Sequence, residues 1–325
     1  MLAQKYNKKF NKFLSKSLAM LYDKSLPSPT QKENELVEEL RAAFRQLPVL
    51  DSTGCCASER QWINNANSLR QLILTDDPRE FLRWHVISSA MFVKYAGYIS
   101  HEFKYLKQQS DWNSRWSKAV METHIGHPVP YYKYPKSSAN LIHHAYHLAI
   151  FEQIAGIKLN DIDFVFEFGG GYGSMCRLNH NIGFTGKYII YDMPAFSALQ
   201  RFFLKSIGVN ILIADNFTTQ VSGALCISEI QQLSNILSND MRSKKSLFIG
   251  TWSISEAPYS LRDSILPLVS GFHTFLIAYQ DRFQEADNIA FFKQWAATHE
   301  NIEWYDRAIE HLPGNRYLMG RKKVK

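Results

Sequence analysis

From Asp161 onward, short apolar runs alternate with helix-like stretches, and this alternation is what most restricts the fold. The runs are "FVFEF", "KYIIYD", "VNILIAD", "ALCIS", "SLFIGTW" and "FHTFLIAYQ". Buried strands separated by helices pack as a parallel sheet with helices against it. Two last runs, "IEWYDRAI" and "NRYLMGRK", flank "EHLPG", whose proline and glycine suit a short turn. The expected fold is α/β: a Rossmann-like, mostly parallel sheet closing in a C-terminal antiparallel hairpin, occupying residues 161–325.

Upstream the pattern is helical. Leu2, Tyr6, Phe10, Phe13, Leu14, Leu18 and Leu21 recur at three- and four-residue steps, predicting an amphipathic helix over the first 26 residues with a lysine-rich back. Packing on its own domain is favoured for it over a membrane surface or a partner. "LPSPT" interrupts the helix. "KENELVEELRAAFRQL" and "SERQWINNANSLRQLIL" predict two more helices. Asp77 as N-cap and Pro78 at the first helical position open a helix, or broken pair, running to about Gln109. Residues 1–123 thus form an all-helical region. Residues 124–160 join it to the sheet through an aromatic loop, "HIGHPVPYYKYPKSSAN", and a helix capped by Ser138 and ended by Gly156.

Composition narrows the class. With 46% hydrophobic and 21% charged residues, the 325-residue chain reads as an ordinary soluble globular protein. The net charge of +7 is modest and concentrated at the ends; no nucleic-acid-binding motif accompanies it, so no nucleic-acid partner is expected. Cys55, Cys56, Cys176 and Cys226 show no CxxC spacing, which fits a reducing cytoplasm. Lysines interrupt the apolar N-terminus, so no signal peptide is expected, and no run is long enough for a transmembrane helix.

The first strand runs into "FGGGYG". In an open parallel sheet the ligand lies beyond the carboxyl ends of the strands, where this loop emerges. Dinucleotide binding asks for G-x-G-x-x-G. Starting at Gly169, the third slot holds Ser174. Starting at Gly170, the second slot holds Tyr172, and starting at Gly171 the third holds Cys176. Acidic-x-G-x-G-x-G is complete instead, as Glu167, Gly169, Gly171 and Gly173. That pattern suits S-adenosylmethionine: glycines admit the methionine portion, and a carboxylate attracts a sulfonium and an ammonium where it would repel a pyrophosphate. Asp192, ending "KYIIYD", is placed to accept from ribose hydroxyls, and Asp215, ending "NILIAD", falls where a third strand would reach the adenine. Gly170 has no role in this pattern.

"FEFGGGYGSMCRL" followed by "YIIYDMPAFSALQRFFL" resembles the sugar O-methyltransferases of bacterial surface-polysaccharide clusters. The resemblance takes in "GHPVPYYKYPKSSANLIHHAYHL" and "GTWSISEAP", over roughly residues 78 to 280. It implies a class I methyltransferase fold and methyl transfer to a sugar hydroxyl, on a small-molecule, sugar-nucleotide or glycan substrate. It assigns no acceptor residues.

A sugar hydroxyl is a poor nucleophile, so a base or a metal is expected at the acceptor. Glu256, after "SLFIGTW", is a candidate base, with helix capping as the competing role. His143 and His147 lie four apart on one helix face. Without a third ligand nearby they are weak evidence for a metal, and a divalent metal stays open; packing or simple exposure is favoured for either histidine, with one acting as base the alternative. Asp281 would orient an acceptor hydroxyl and Arg282 a phosphate. Trp252, Ser253, Tyr131 and Tyr132 are candidate acceptor contacts, the tyrosines by stacking on sugar faces or by packing in the core. A methyltransferase with a nitrogen or another small-molecule acceptor, or a non-catalytic protein retaining the fold, remains an alternative. Homo-oligomerisation is undecided.

Overall fold

The computed structural model describes residues 14–240 and 245–323. Most of the predicted N-terminal amphipathic helix lies outside the described residues; residues 14–20 are helical and bury Ala19. Helices Gln31–Gln46 and Ala57–Thr75 follow. The first is closed by a capping box in which Thr30 Oγ1 accepts from Glu33 N, and Glu33 accepts from Thr30 N at 2.7 Å. Asp77 caps as expected, accepting from Arg79 N. The segment after it is broken into a 3₁₀ turn, Pro78–Arg83, and helices His85–Ala90 and Ile99–Lys107.

The aromatic loop is more ordered than its prolines imply: Pro130–Tyr131 pairs with Tyr134–Ser138 as a small antiparallel ribbon. Ser138 then caps helix Ala139–Ala155, accepting from Leu141 N at 3.0 Å, and Gly156 ends it in the left-handed region at φ 65°. This helix has no polar face. It is buried nearly all round, between the helical region and the sheet. Arg115 fastens the two layers with a bidentate pair to buried Glu152, at 2.7 and 2.6 Å.

Seven strands make the main sheet: β1 Phe164–Phe168, β2 Lys187–Tyr191, β3 Gly223–Ile227, β4 Ser246–Thr251, β5 Thr274–Gln280, β6 Ile302–Ala308 and β7 Asn315–Lys322. Their order is β3-β2-β1-β4-β5-β7-β6. Only β7 runs antiparallel to its neighbours, as the hairpin with β6 and against β5. Phe164, Phe166, Ile189, Leu225, Phe248, Phe275 and Ile277 face one core. Val165, Tyr188, Ile190, Ala224, Leu247 and Leu276 face the other, which merges with the N-terminal helices. This period-two alternation puts Glu167 on the face of Tyr188 and Ile190. The fold is thus the expected Rossmann-like one with a helical N-terminal region. The order reverses between β1 and β4, which makes their carboxyl ends the switch point where ligands bind.

One predicted strand is absent. In "VNILIAD" only Ile211 bridges, to Ala224, and the chain turns into a 3₁₀ segment at Ala214–Asn216. "ALCIS" supplies the third strand instead. Asp215 is exposed. Two residues on, the Phe217 ring packs on Phe164 and its carbonyl accepts from Lys187 Nζ, and both partners open their strands. Asp215 therefore lies toward the amino ends, away from the adenine position assigned to it.

Candidate active site

Glycines 169, 171 and 173 all take positive φ, at 69°, 57° and 94°. These are the three glycines of the acidic pattern, so the alternation in sequence is an alternation in backbone conformation that L residues rarely adopt. Gly170 answers to packing: a Cβ there would lie 2.5 Å from Ile190 Cγ2 and 3.0 Å from Glu167 Oε2. On top of the loop sits Met91, whose Sδ would be 3.3 Å from a Gly171 Cβ.

Glu167 does not present a free anion to this loop. Its carboxyl is buried and accepts from Tyr188 Oη at 2.9 Å. Burial pushes it up to about 8, against the Tyr188 hydrogen bond and helped by the Asp192 charge. Largely protonated near neutrality, it supports the loop from beneath and does not offer a donor's sulfonium or ammonium the free charge expected of it. Asp192 is at the carboxyl end of β2 as expected. Its Oδ2 accepts from Gly171 N at 3.2 Å and from Gln200 Nε2 at 2.9 Å, and its Oδ1 from Met193 N at 2.8 Å. Burial pushes this carboxyl up to about 7.

Across the switch point, Ser253 follows β4 and donates to the Phe168 carbonyl, immediately before Gly169. This hydroxyl is spent on joining β4 to the loop, and Ser253 is not a free acceptor contact. Trp252 beside it stands at φ 64°, a costly conformation for a bulky residue. It is held by Trp252 N to Ala278 O at 2.6 Å and by Nε1 to Asn315 Oδ1 at 2.7 Å.

The indole carries the histidines. His143 stacks on Trp252 with ring centroids 5.4 Å apart and planes 29° apart, and His147 lies 5.2 Å from it. His143 Nδ1 reaches both oxygens of Glu102, each at 2.9 Å. Glu102 is wholly buried and also accepts from His311 Nε2 at 2.9 Å. Burial pushes Glu102 up, but His143 and His311 outweigh it and hold the carboxyl below the usual range. An ionised Glu102 makes Nδ1 of His143 a donor, and in the neutral imidazole that tautomer carries its lone pair on Nε2. His147 differs. Its Nδ1 bonds Tyr317 Oη, its Nε2 is buried without a partner among the described residues, and burial and the neighbouring histidines hold it well below its ordinary value. It is neutral and enclosed.

The remaining candidates spread out. Glu256 Oε1 accepts from Gln280 Nε2 at 2.8 Å, and burial raises its carboxyl. It joins a bracing cluster in which Ser255 Oγ is 2.6 Å from Gln280 Oε1 and Arg262 reaches Ser255 O and Asn288 Oδ1. The imidazole's partner is Glu102, not Glu256. Asp281 follows β5, bonds Gly314 O through its amide and keeps a buried Oδ1 with no partner among the described residues. Arg282 is exposed and paired with Asp287 at 3.2 Å. Tyr131 is core, packed on Phe103 with its hydroxyl 3.2 Å from Ser100, so it offers no sugar-stacking face; Tyr132 is half-buried beside it. Among the described residues no group of three or more His, Cys, Asp or Glu could hold a metal ion, and no helix is long and apolar enough to cross a membrane.

Sequence reasoning missed Glu102, His311 and Gln200. Glu102 did leave a signal: with Ile99, Phe103 and Leu106 it occupies the buried face of its helix. A carboxylate on an apolar face needs partners. Gln200 breaks the apolar face of helix Pro194–Ser206 in the same way.

No family model and no curated protein matches the chain. Among solved structures, an rRNA methylase from Streptococcus thermophilus aligns with TM-score 0.39 and 11% identity, over 55% of this chain and 95% of its own. The SAH-bound methyltransferase PaMTH1 of Podospora anserina aligns with TM-score 0.37 and 8% identity, over 72% and 91%. A ribosomal protein L11 methylase from Lactobacillus delbrueckii aligns with TM-score 0.35 and 13% identity, over 56% and 80%. The strand order, not these alignments, carries the fold assignment.

Proposed function

We propose that this chain is an S-adenosylmethionine-dependent O-methyltransferase acting on a hydroxyl of a sugar or sugar-containing metabolite. The observation that carries the proposal is the His143–Glu102 pair stacked on Trp252, one residue from the serine that bonds the base of the glycine loop. A base placed there would lie near the carboxyl edge of the sheet, where the donor would bind.

The loop fits such a donor. Three left-handed glycines expose backbone, Asp192 Oδ1 keeps one lone pair for a ribose hydroxyl, and Met91 covers the loop. When bound, the donor supplies an electrophilic methyl group on a sulfonium. The chain's own residues do the rest. Glu102 holds His143 in the Nδ1–H tautomer, and Nε2 accepts the proton of the acceptor hydroxyl as its oxygen attacks. The imidazolium so formed is stabilised by Glu102. Trp252 fixes the ring plane and excludes water from one side.

A base favours an oxygen acceptor, because a neutral amine already has its lone pair free. That the hydroxyl belongs to a sugar rests on the resemblance at "YDMP" and "SISEAP". Calorimetry with S-adenosylmethionine and NAD tests the cofactor: donor binding without NAD binding is expected, and the reverse overturns the proposal. A screen over nucleotide sugars, amines and other small hydroxyl compounds, with His143→Gln as control, tests the acceptor. Turnover only on amines, or full turnover by the variant, refutes the assigned chemistry. No turnover on any acceptor, with donor binding intact, would favour a non-catalytic role.

A further inference from the structure

Gln200 is wholly buried on helix Pro194–Ser206, yet it is polar. Its Nε2 donates to Gly171 O and to Asp192 Oδ2, both at 2.9 Å. Gly171 N donates to the same carboxylate oxygen at 3.2 Å. Oδ2 therefore has both lone pairs filled, while Oδ1, with Met193 N at 2.8 Å, keeps one. Gln200 Oε1 is buried with no partner among the described residues. Buried acceptors are rarely left unfilled, and each asks for a donor that the protein itself does not supply.

We infer that Gln200 is a positioning residue of the donor site: it locks the Asp192 carboxylate against the glycine loop so that Oδ1 faces a ligand's vicinal hydroxyls. The inference rests on the methyltransferase reading, which supplies the ribose as that diol. Gln200 ties the two halves of the nucleoside subsite together, because one amide group spans the loop carbonyl and the β2 carboxylate. Without it, Asp192 keeps only backbone partners. Its buried charge then swings or protonates, and discrimination for the ribose falls.

The experiment is calorimetry of S-adenosylhomocysteine and its 2′-deoxyribose analogue on wild type, Gln200→Met and Gln200→Glu. Wild type is expected to prefer the ribose form about tenfold or more, as for a hydrogen bond to a charged group. Gln200→Met should lose most of that preference by weakening the ribose form alone. Gln200→Glu should weaken the ribose form further, since it sets a second carboxyl against Asp192. A folded Gln200→Met protein with the wild-type preference overturns the inference while leaving the function standing. Wild type that binds neither compound overturns the function itself. If neither variant folds, a crystal structure of wild type with S-adenosylhomocysteine decides. Gln200 Nε2 on Asp192 with Asp192 on the ribose is expected, and either contact missing refutes the role.

Discussion

The His143 ring stacks on the Trp252 indole, 5.4 Å between centroids, and Trp252 is itself held in the left-handed region. A strained residue that supports a candidate base couples the end of β4 to the chemistry. Strain of this kind persists where the surroundings over-determine it, here through Ala278 and Asn315. Trp252→Gly removes both the stack and the strain. Turnover is expected to fall about 10²-fold, as for a mispositioned catalytic group, with donor affinity within about twofold of wild type. Steady-state kinetics and calorimetry check this; equal losses in both would mean the residue serves the donor.

Glu102 acts through His143. Glu102→Gln keeps the volume but removes the charge that fixes the Nδ1–H tautomer. Activity should drop by about 10²- to 10⁴-fold, the range for general base catalysis, while donor binding persists. Unchanged kcat in a folded Glu102→Gln protein would remove the dyad from the mechanism.

Gly170 has no positive φ, so its role is separable from that of its neighbours. Gly170→Ala is expected to destabilise by about 1–3 kcal/mol through overpacking on Ile190. A double-mutant cycle with Ile190→Ala, followed by urea unfolding, should show coupling between the two sites. Additive effects would contradict the clash. Gly171→Ala should instead disturb donor binding, since backbone conformation and the Met91 contact both change there.

Burial pushes Glu167 up to about 8 and Asp192 up to about 7. In the unfolded chain both ionise near pH 4. Their contribution to stability is therefore fully present below that pH and is lost as pH rises through about 7 to 8. The buried histidines, His144 at about 3 and His147 also depressed, work in the opposite sense but finish by about pH 6.5. Urea midpoints measured between about pH 6.5 and 8.5 should fall for wild type, and fall less for Glu167→Gln. Equal slopes would place the Glu167 carboxyl outside the buried cluster.

Much of the fold was legible in sequence because it rests on local periodicity. Apolar runs and their helical spacers predicted the parallel sheet, "EHLPG" the closing hairpin, and Ser138 and Gly156 the limits of the histidine helix. "VNILIAD" failed because strand-like composition does not say how far a segment will find a partner; only Ile211 did. The conformation of the glycine loop was likewise readable, since positive φ at Gly169, Gly171 and Gly173 is a property of each residue's own backbone.

The acceptor side was not readable in that way. The sequence by itself determined that two histidines share a helix face, that a glycine loop leaves the first strand, and that Asp192 ends the second. Only the tertiary structure brought Glu102 to His143, because that pairing depends on where their two helices pack. It also turned the Glu167 carboxylate, expected to attract the donor's cationic groups, into a buried support beneath the loop, through strand alternation and the covering helices. Side-chain partnerships across 41 residues, as for His143 and Glu102, depend on the burial of whole elements against each other. That burial is a property of the assembled core and of no local stretch within it.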